Sequence, residues 1–195
     1  MTQSDALDRR LVVAKLLQNR NNLMVVTGLG SATYDVMSVG DNDLNFYLWG
    51  AMGSAAMIGF GLAMAQPNRP VLVFTGDGEM LMGLGSLATI GVSKPGNLTI
   101  AVLDNEHYGE TGMQASHTRS GIKLDEIASA CGFGWAEEIR DIEGVSELQA
   151  RIHETSTACF STIKIKTDEA PRVLAPRDGI YVKNRFRACL GFSSL

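Results

Sequence analysis

The chain has 195 residues, of which 45% are apolar, enough to bury one substantial core and most simply a single domain over residues 1–195. A net charge of −4 gives no reason to expect nucleic acid or an anionic membrane as partner, and no apolar run approaches the roughly 18 residues of a membrane span. The polar, acidic start carries no evident signal peptide, and Cys131, Cys159 and Cys189, odd in number and far apart, fit reduced cytoplasmic thiols rather than disulfides or an iron–sulfur site.

In chain order, Leu11, Val12, Ala14, Leu16 and Leu17 stand among Asp8, Arg9, Arg10 and Lys15, which predicts an amphipathic helix over 7–17 lying against a sheet. Residues 23–26 read as a buried strand ending at Thr27-Gly28-Leu29-Gly30-Ser31, and 32–39 as a helix. Gly28 and Gly30 could begin a dinucleotide fingerprint, but Thr33 stands where its third glycine belongs, so a plain strand-to-helix turn within reach of phosphate is the better reading. A short strand over 45–48 precedes a helix over 52–65 that has no charge on any side and is therefore expected to be buried. Pro67 and Pro70 stop it.

Val71 to Phe74 is an apolar strand ending abruptly in Thr75-Gly76-Asp77-Gly78, followed by a small-residue helix over 80–91. Lys94-Pro95-Gly96-Asn97 breaks the chain before a second apolar strand, 98–103, which ends at Asp104-Asn105. Residues 115–122 read as a surface loop, 124–131 as a helix, 132–136 as a short strand, 145–154 as an amphipathic helix and 162–165 as the last strand. Pro171 and Pro176 predict extended structure before a short helix over 182–189, and five basic residues make 171–195 a basic wrapping tail. Alternating strands and helices predict an α/β fold: a doubly wound, mostly parallel sheet of about six strands with helices on both faces.

Two strands thus deliver Asp77 and Asn105 to one sheet edge, and the carboxyl edge of such a sheet is where ligands bind. One hard anionic oxygen, one neutral amide oxygen and a nearby loop carbonyl suit Mg²⁺ or Ca²⁺. Gly76 and Gly78 allow close backbone approach, and the amides opening the next helix favour phosphate. Metal plus phosphate points to a diphosphate bridged to the protein through a cation.

Gly76-Asp77-Gly78 followed downstream by an Asn-containing turn closing an apolar strand resembles the diphosphate signature of thiamine-diphosphate enzymes. Trp49-Gly50-Ala51-Met52-Gly53 is similar to the segment that bends the cofactor, and Asn105-Glu106-His107-Tyr108-Gly109-Glu110-Thr111-Gly112-Met113-Gln114 resembles the Asn-x-x-Tyr-Gly-x-Thr-Gly-x-Gln of the sulfopyruvate and phosphonopyruvate decarboxylase group. The resemblance implies thiamine diphosphate and Mg²⁺ as cofactors. It implies Asp77, Asn105 and the main-chain oxygen of His107 as metal ligands, and Gly50, Met52, Gly76, Asp77, Gly78, Glu79, Asn105, His107, Tyr108 and Gly109 as cofactor-binding residues.

In that scheme Met52 is the apolar wedge and the Gly50 carbonyl accepts from the 4′-amino group. The His107 imidazole stays free, and His107 and Glu110 are catalytic candidates, with Thr111 and Gln114 on the substrate side. The glutamate that activates the pyrimidine is expected on a companion pyrimidine-binding subunit, since no second domain is visible, and self-association is expected as well. The implied reaction is decarboxylation of a small 2-oxo acid. An acetolactate-synthase-like carboligase half, a 2-oxo acid:ferredoxin oxidoreductase subunit and a non-catalytic cofactor-binding module remain as alternatives. Met113 and Glu79 depart from the group's pattern and weaken assignment of the particular 2-oxo acid.

Overall fold

The computed structural model describes residues 6–154 and 156–193. The polar start and the end of the basic tail, residues 1–5 and 194–195, lie outside the described residues. β1 (Met24–Thr27), β2 (Asn45–Tyr47), β3 (Val71–Gly76), β4 (Leu98–Asp104), β7 (Trp135–Ile139) and β8 (Cys159–Lys164) form a parallel sheet in the order β2-β1-β3-β4-β8-β7. β5 (His107–Tyr108) and β6 (Gln114–Ala115) make a small antiparallel hairpin beside it. The expected doubly wound α/β fold is what the chain adopts.

Side chains of a strand alternate between faces, so each central strand supplies both halves of the core. Val25, Leu72, Phe74, Ala101, Leu103 and Ile163 pack under α1 (Arg9–Leu16), α2 (Ser31–Val39) and α7 (Ile142–Glu154). Met24, Val26, Val71, Val73, Ile100, Val102 and Phe160 meet α3 (Ala55–Ala65), α4 (Asp77–Met82), α5 (Ser86–Ser93), α6 (Leu124–Ala130) and α8 (Gly179–Cys189) on the other face. Burying one such side chain contributes roughly 1.5–3 kcal/mol, which is why strands buried on both faces read as continuous apolar runs.

The helix expected over 80–91 is two helices. α4 begins earlier, at Asp77 itself, and ends at Met82, before α5 starts at Ser86. The reason is tertiary: a Cβ at Gly83 would stand 2.2 Å from the carbonyl oxygen of Gly53, so the chain turns where the two backbones touch. The uncharged α3 is buried on one side only. Ala55, Ala56, Gly59 and Ala63 face the sheet, while Met57 and Met64 are exposed. The strand expected over 132–136 runs from Trp135 to Ile139, displaced by the turn at Gly132, where φ is +98°. The tail is more than a wrap: Val182 and Phe186 of α8 are buried, and Phe186 packs edge-on to Phe46.

The strand order fixes where a ligand can enter. From β1 the chain leads outward to β2 and then returns to β3 on the other side of β1, so the winding reverses between β1 and β3. Loops leaving adjacent strands there diverge to opposite faces and leave a crevice at the carboxyl ends.

Candidate functional site

A cavity opens at that crevice, at the place in an open α/β sheet where ligands bind. Leu29, Ser31 and Ala32 line it from the β1 side, Gly76 to Glu79 from the end of β3, and Asn105, His107, Tyr108, Gly109, Glu110 and Thr111 from the segment after β4. Met52 and Arg9 complete the wall. The structure thus brings together every residue singled out in the sequence for cofactor or cation except Gly50, which lies exposed on the turn before α3.

Asp77 is the first residue of α4 and is 2% exposed. Burial pushes its carboxyl up to about 6; the Ser116 hydroxyl draws it down, the Asp104 carboxylate pushes it further up, and the amides of Asp77 and Gly78 lower it. Asn105, also buried, accepts from the His107 amide through Oδ1 at 3.0 Å. An amide oxygen has two lone pairs, so closing this turn leaves one for a second partner. The Tyr108 carbonyl is taken by the Met113 amide at 3.0 Å, and alternation along β5 turns the His107 carbonyl to the opposite side.

The imidazole of His107, expected to be free, is engaged at both nitrogens. Arg119 Nη1 lies 2.7 Å from Nε2 and, being a donor only, makes Nε2 the acceptor. Nδ1 then carries the proton and donates to the Asn105 carbonyl at 2.8 Å. Tyr108 lies against Gly78, where a Cβ would stand 2.6 Å from the ring, and its hydroxyl is 2.7 Å from His117 Nδ1. Glu110 leans toward Ser31 at 3.5 Å and Arg172 at 3.6 Å. Thr111 and Gln114 hydrogen-bond each other at 3.3 Å beyond them.

Glu79 turns inward against Gly28. It is buried, accepts from Thr75 at 3.0 Å through Oε2, and has no hydrogen-bond partner at Oε1 among the described residues. Burial raises its carboxyl above the usual range. Of the four residues other than asparagine and glycine with positive φ among the described residues, Ala51, Glu106 and Met113 flank this cavity. Such conformations cost about 1–3 kcal/mol each and cluster where a site imposes them.

Sequence reasoning missed Arg9. It reaches the cavity from α1 while pairing with Asp35 at 2.6 Å, both side chains buried. Its sequence signal was weak, one arginine in an Arg-Arg pair on an otherwise amphipathic helix.

The donors fit a divalent cation bridging a diphosphate. They are hard oxygens, one from a buried carboxylate whose ionised form is penalised until a cation arrives, and Gly76 has no atom within 4 Å of where a Cβ would stand. Among the described residues no group of three or more His, Cys, Asp or Glu side chains is placed to hold a metal.

Fold and crevice together define an α/β ligand-binding domain opened at its winding reversal. Residues 26–165 match the family described as "Thiamine pyrophosphate enzyme, C-terminal TPP binding domain". The chain belongs to this family. It is 40% identical over 122 residues to a sulfopyruvate decarboxylase subunit beta of Methanocaldococcus jannaschii, covering 62% of this chain and 64% of the relative. It is 37% identical over 165 residues to a phosphonopyruvate decarboxylase of Streptomyces viridochromogenes, covering 84% of this chain and 41% of the relative. The match thus spans less than two thirds of either relative. The fold is shared with the thiamine diphosphate-dependent 4-hydroxybenzoylformate decarboxylase of Rhodococcus jostii RHA1, with a TM-score of 0.68 at 17% identity over 85% of this chain and 34% of that one.

Proposed function

We propose that this chain is the diphosphate-binding half of a thiamine-diphosphate-dependent decarboxylase acting on a small 2-oxo acid, similar to the sulfopyruvate and phosphonopyruvate enzymes, with Mg²⁺ as bridging ion. The observation that carries the reading is the convergence of Asp77 and Asn105, from the ends of neighbouring strands, on one crevice in a chain of this family.

Asp77, Asn105 and the His107 carbonyl would hold the cation, and Gly76 and Gly78 would let the backbone approach the phosphates. Tyr108, pressed on Gly78, would wall the diphosphate side and exclude water there. Met52, bordering the same cavity, would bend the cofactor. When bound, thiamine diphosphate supplies an electron sink for the electrons released as CO₂ departs. Glu110 and His107, which line the cavity, would be the titratable groups of this chain turned toward a substrate. The His107 tautomer, with its proton on Nδ1, suits it to orienting the loop more than to moving protons.

A companion chain is part of this proposal. From Leu44 to Asn68 and from Met80 to Ser93 there is no charged residue, and α3 with α4 and α5 presents Met57, Met64, Met82 and Val92 to solvent next to Met52. Large exposed apolar areas mark interaction sites. A pyrimidine-binding subunit covering this face would seal the cavity mouth, and self-association could use the remainder. Magnesium-dependent uptake of thiamine diphosphate by the chain, followed by CO₂ release from a panel of 2-oxo acids once the companion is added, is the expected result. Absence of magnesium-dependent uptake with the companion present overturns the reading, and full turnover by the isolated chain removes the two-chain part of it.

A further inference from the structure

The segment after the β5–β6 hairpin, expected from its polar composition to be a surface loop, has two of its side chains buried: Ser116 is 2% and Thr118 5% exposed. Four consecutive residues there each reach a different part of the crevice. The Ser116 amide donates to the Glu106 carbonyl at 2.9 Å, and its hydroxyl faces Asp77. His117 meets the Tyr108 hydroxyl and Arg119 meets His107, both at 2.7 Å.

Thr118 stands at the centre. Its hydroxyl is 2.8 Å from Asp104 Oδ1, 3.4 Å from Asp77 Oδ2 and 2.8 Å from the Ser116 hydroxyl. Two hydroxyl protons therefore stand between two buried carboxylates. The Thr118 hydroxyl, within reach of both carboxylates, bridges the two segments that carry them, and the Ser116 hydroxyl is its third neighbour. Behind Asp104, Lys164 donates to its Oδ2 at 2.7 Å and to Glu106 at 3.0 Å. That ammonium cancels the charge of Asp104, so Asp77 is the carboxylate of the pair whose charge has no cation of the chain against it among the described residues.

We propose that the Ser116–Arg119 turn is the positioning element of the cation site, with the Thr118 hydroxyl holding the Asp77 carboxylate and the Asp104–Tyr108 segment in the mutual orientation that a divalent ion requires. The inference rests on the reading of Asp77 and Asn105 as cation ligands and deepens it. In this role none of the four residues would itself ligate the ion. They act through those that do, as outer hydrogen-bond partners of metal ligands do elsewhere.

The test is a magnesium titration of thiamine diphosphate binding, followed by tryptophan fluorescence, on the full chain with its companion, for the native protein, Thr118→Val and Thr118→Ser. Loss of an outer-shell partner typically costs 10–100-fold in metal affinity, so Thr118→Val should raise the apparent magnesium dissociation constant by about that factor. Thr118→Ser, which keeps the hydroxyl and drops the methyl, should restore it. Native binding with an unchanged Thr118→Val constant, or a serine variant weaker than the valine variant, overturns the positioning role and leaves the cofactor reading standing. A native protein that takes up no cofactor overturns both. Should Thr118→Val not fold, Ser116→Ala tests the same hydroxyl pair: a several-fold weaker magnesium constant supports the proposal, and an unchanged one overturns it.

Discussion

Arg9 and Asp35 form a buried ion pair at 2.6 Å that ties α1 to α2, and a second arginine, Arg10, stands 3.7 Å from the same carboxylate. Burial raises the Asp35 carboxyl above its usual range, with Arg9 opposing. Removing one member of a buried pair leaves the other charge uncompensated, at a cost of about 3–5 kcal/mol. Asp35→Leu should therefore destabilise the chain by that order in urea unfolding. The double variant Arg9→Met, Asp35→Leu should recover most of the loss. A single variant as stable as the parent would show that water reaches this pair.

Asp77→Asn should separate stability from binding. The Asp77 carboxyl, pushed up to about 6 from 3.8, is harder to ionise in the fold than in the unfolded chain. Its charge at pH 7 therefore costs on the order of 3 kcal/mol without a cation. The asparagine variant should unfold at higher urea when cofactor is absent and should lose magnesium-dependent uptake of thiamine diphosphate. Calorimetric titration beside urea melts reads both.

Gly78→Ala places a methyl where the Tyr108 ring lies, 2.6 Å from its nearest atom. Overpacking of this kind costs about 1–3 kcal/mol when the neighbour cannot move. The variant should lose stability and cofactor affinity together, and adding Tyr108→Ala should restore the stability without the affinity. Equal affinity of Gly78→Ala and parent would argue that the ring swings aside freely.

Met52 is 43% exposed, so Met52→Ala should change unfolding free energy by no more than about 0.5 kcal/mol, as surface substitutions do. Its place in the cavity wall predicts about a tenfold loss of thiamine diphosphate affinity, equivalent to about 1.4 kcal/mol. Fluorescence titration against a melting curve distinguishes the two effects.

Acid should loosen the C-terminal helix. Burial pushes the Asp41 carboxyl up, but hydrogen bonds from Arg185, at 2.6 and 2.9 Å, and from Tyr47 outweigh it and leave it below 3.8. A carboxyl with a depressed folded value contributes stability that is present above the unfolded value and lost as pH falls through the folded one. The near-ultraviolet signal of Tyr47 and Tyr181, which both pack on Arg185, should thus change below about pH 4. In Asp41→Asn that transition should be missing.

The central strands were legible because Val71 to Phe74 and Leu98 to Leu103 are buried on both faces and carry the pattern in every residue. Asp77 and Asn105 were legible as strand ends, and the crevice that joins them follows from the winding. The break at Gly83 was not, because glycine tolerates a helix interior and only contact with Gly53 reveals the turn. The β5–β6 hairpin offers two residues per strand, too few to show a period of two. Thr118 and Lys164 were out of reach for a different reason: their partners Asp77 and Asp104 are distant in sequence, and a threonine in a polar segment carries no local mark of what it will touch.

The sheet order sets a gradient of rigidity across the crevice. β3 and β4 have neighbours on both sides, so their amides should exchange with solvent only when the whole molecule opens, whereas β2 is an edge strand of three residues that can fray alone. Asp77 and Asn105 ride on the slow part, and Met52 follows the fast one. The Asp77–Asn105 wall of the crevice is thus built on paired strands, and Met52, which follows the edge strand, is the part of the rim expected to yield first.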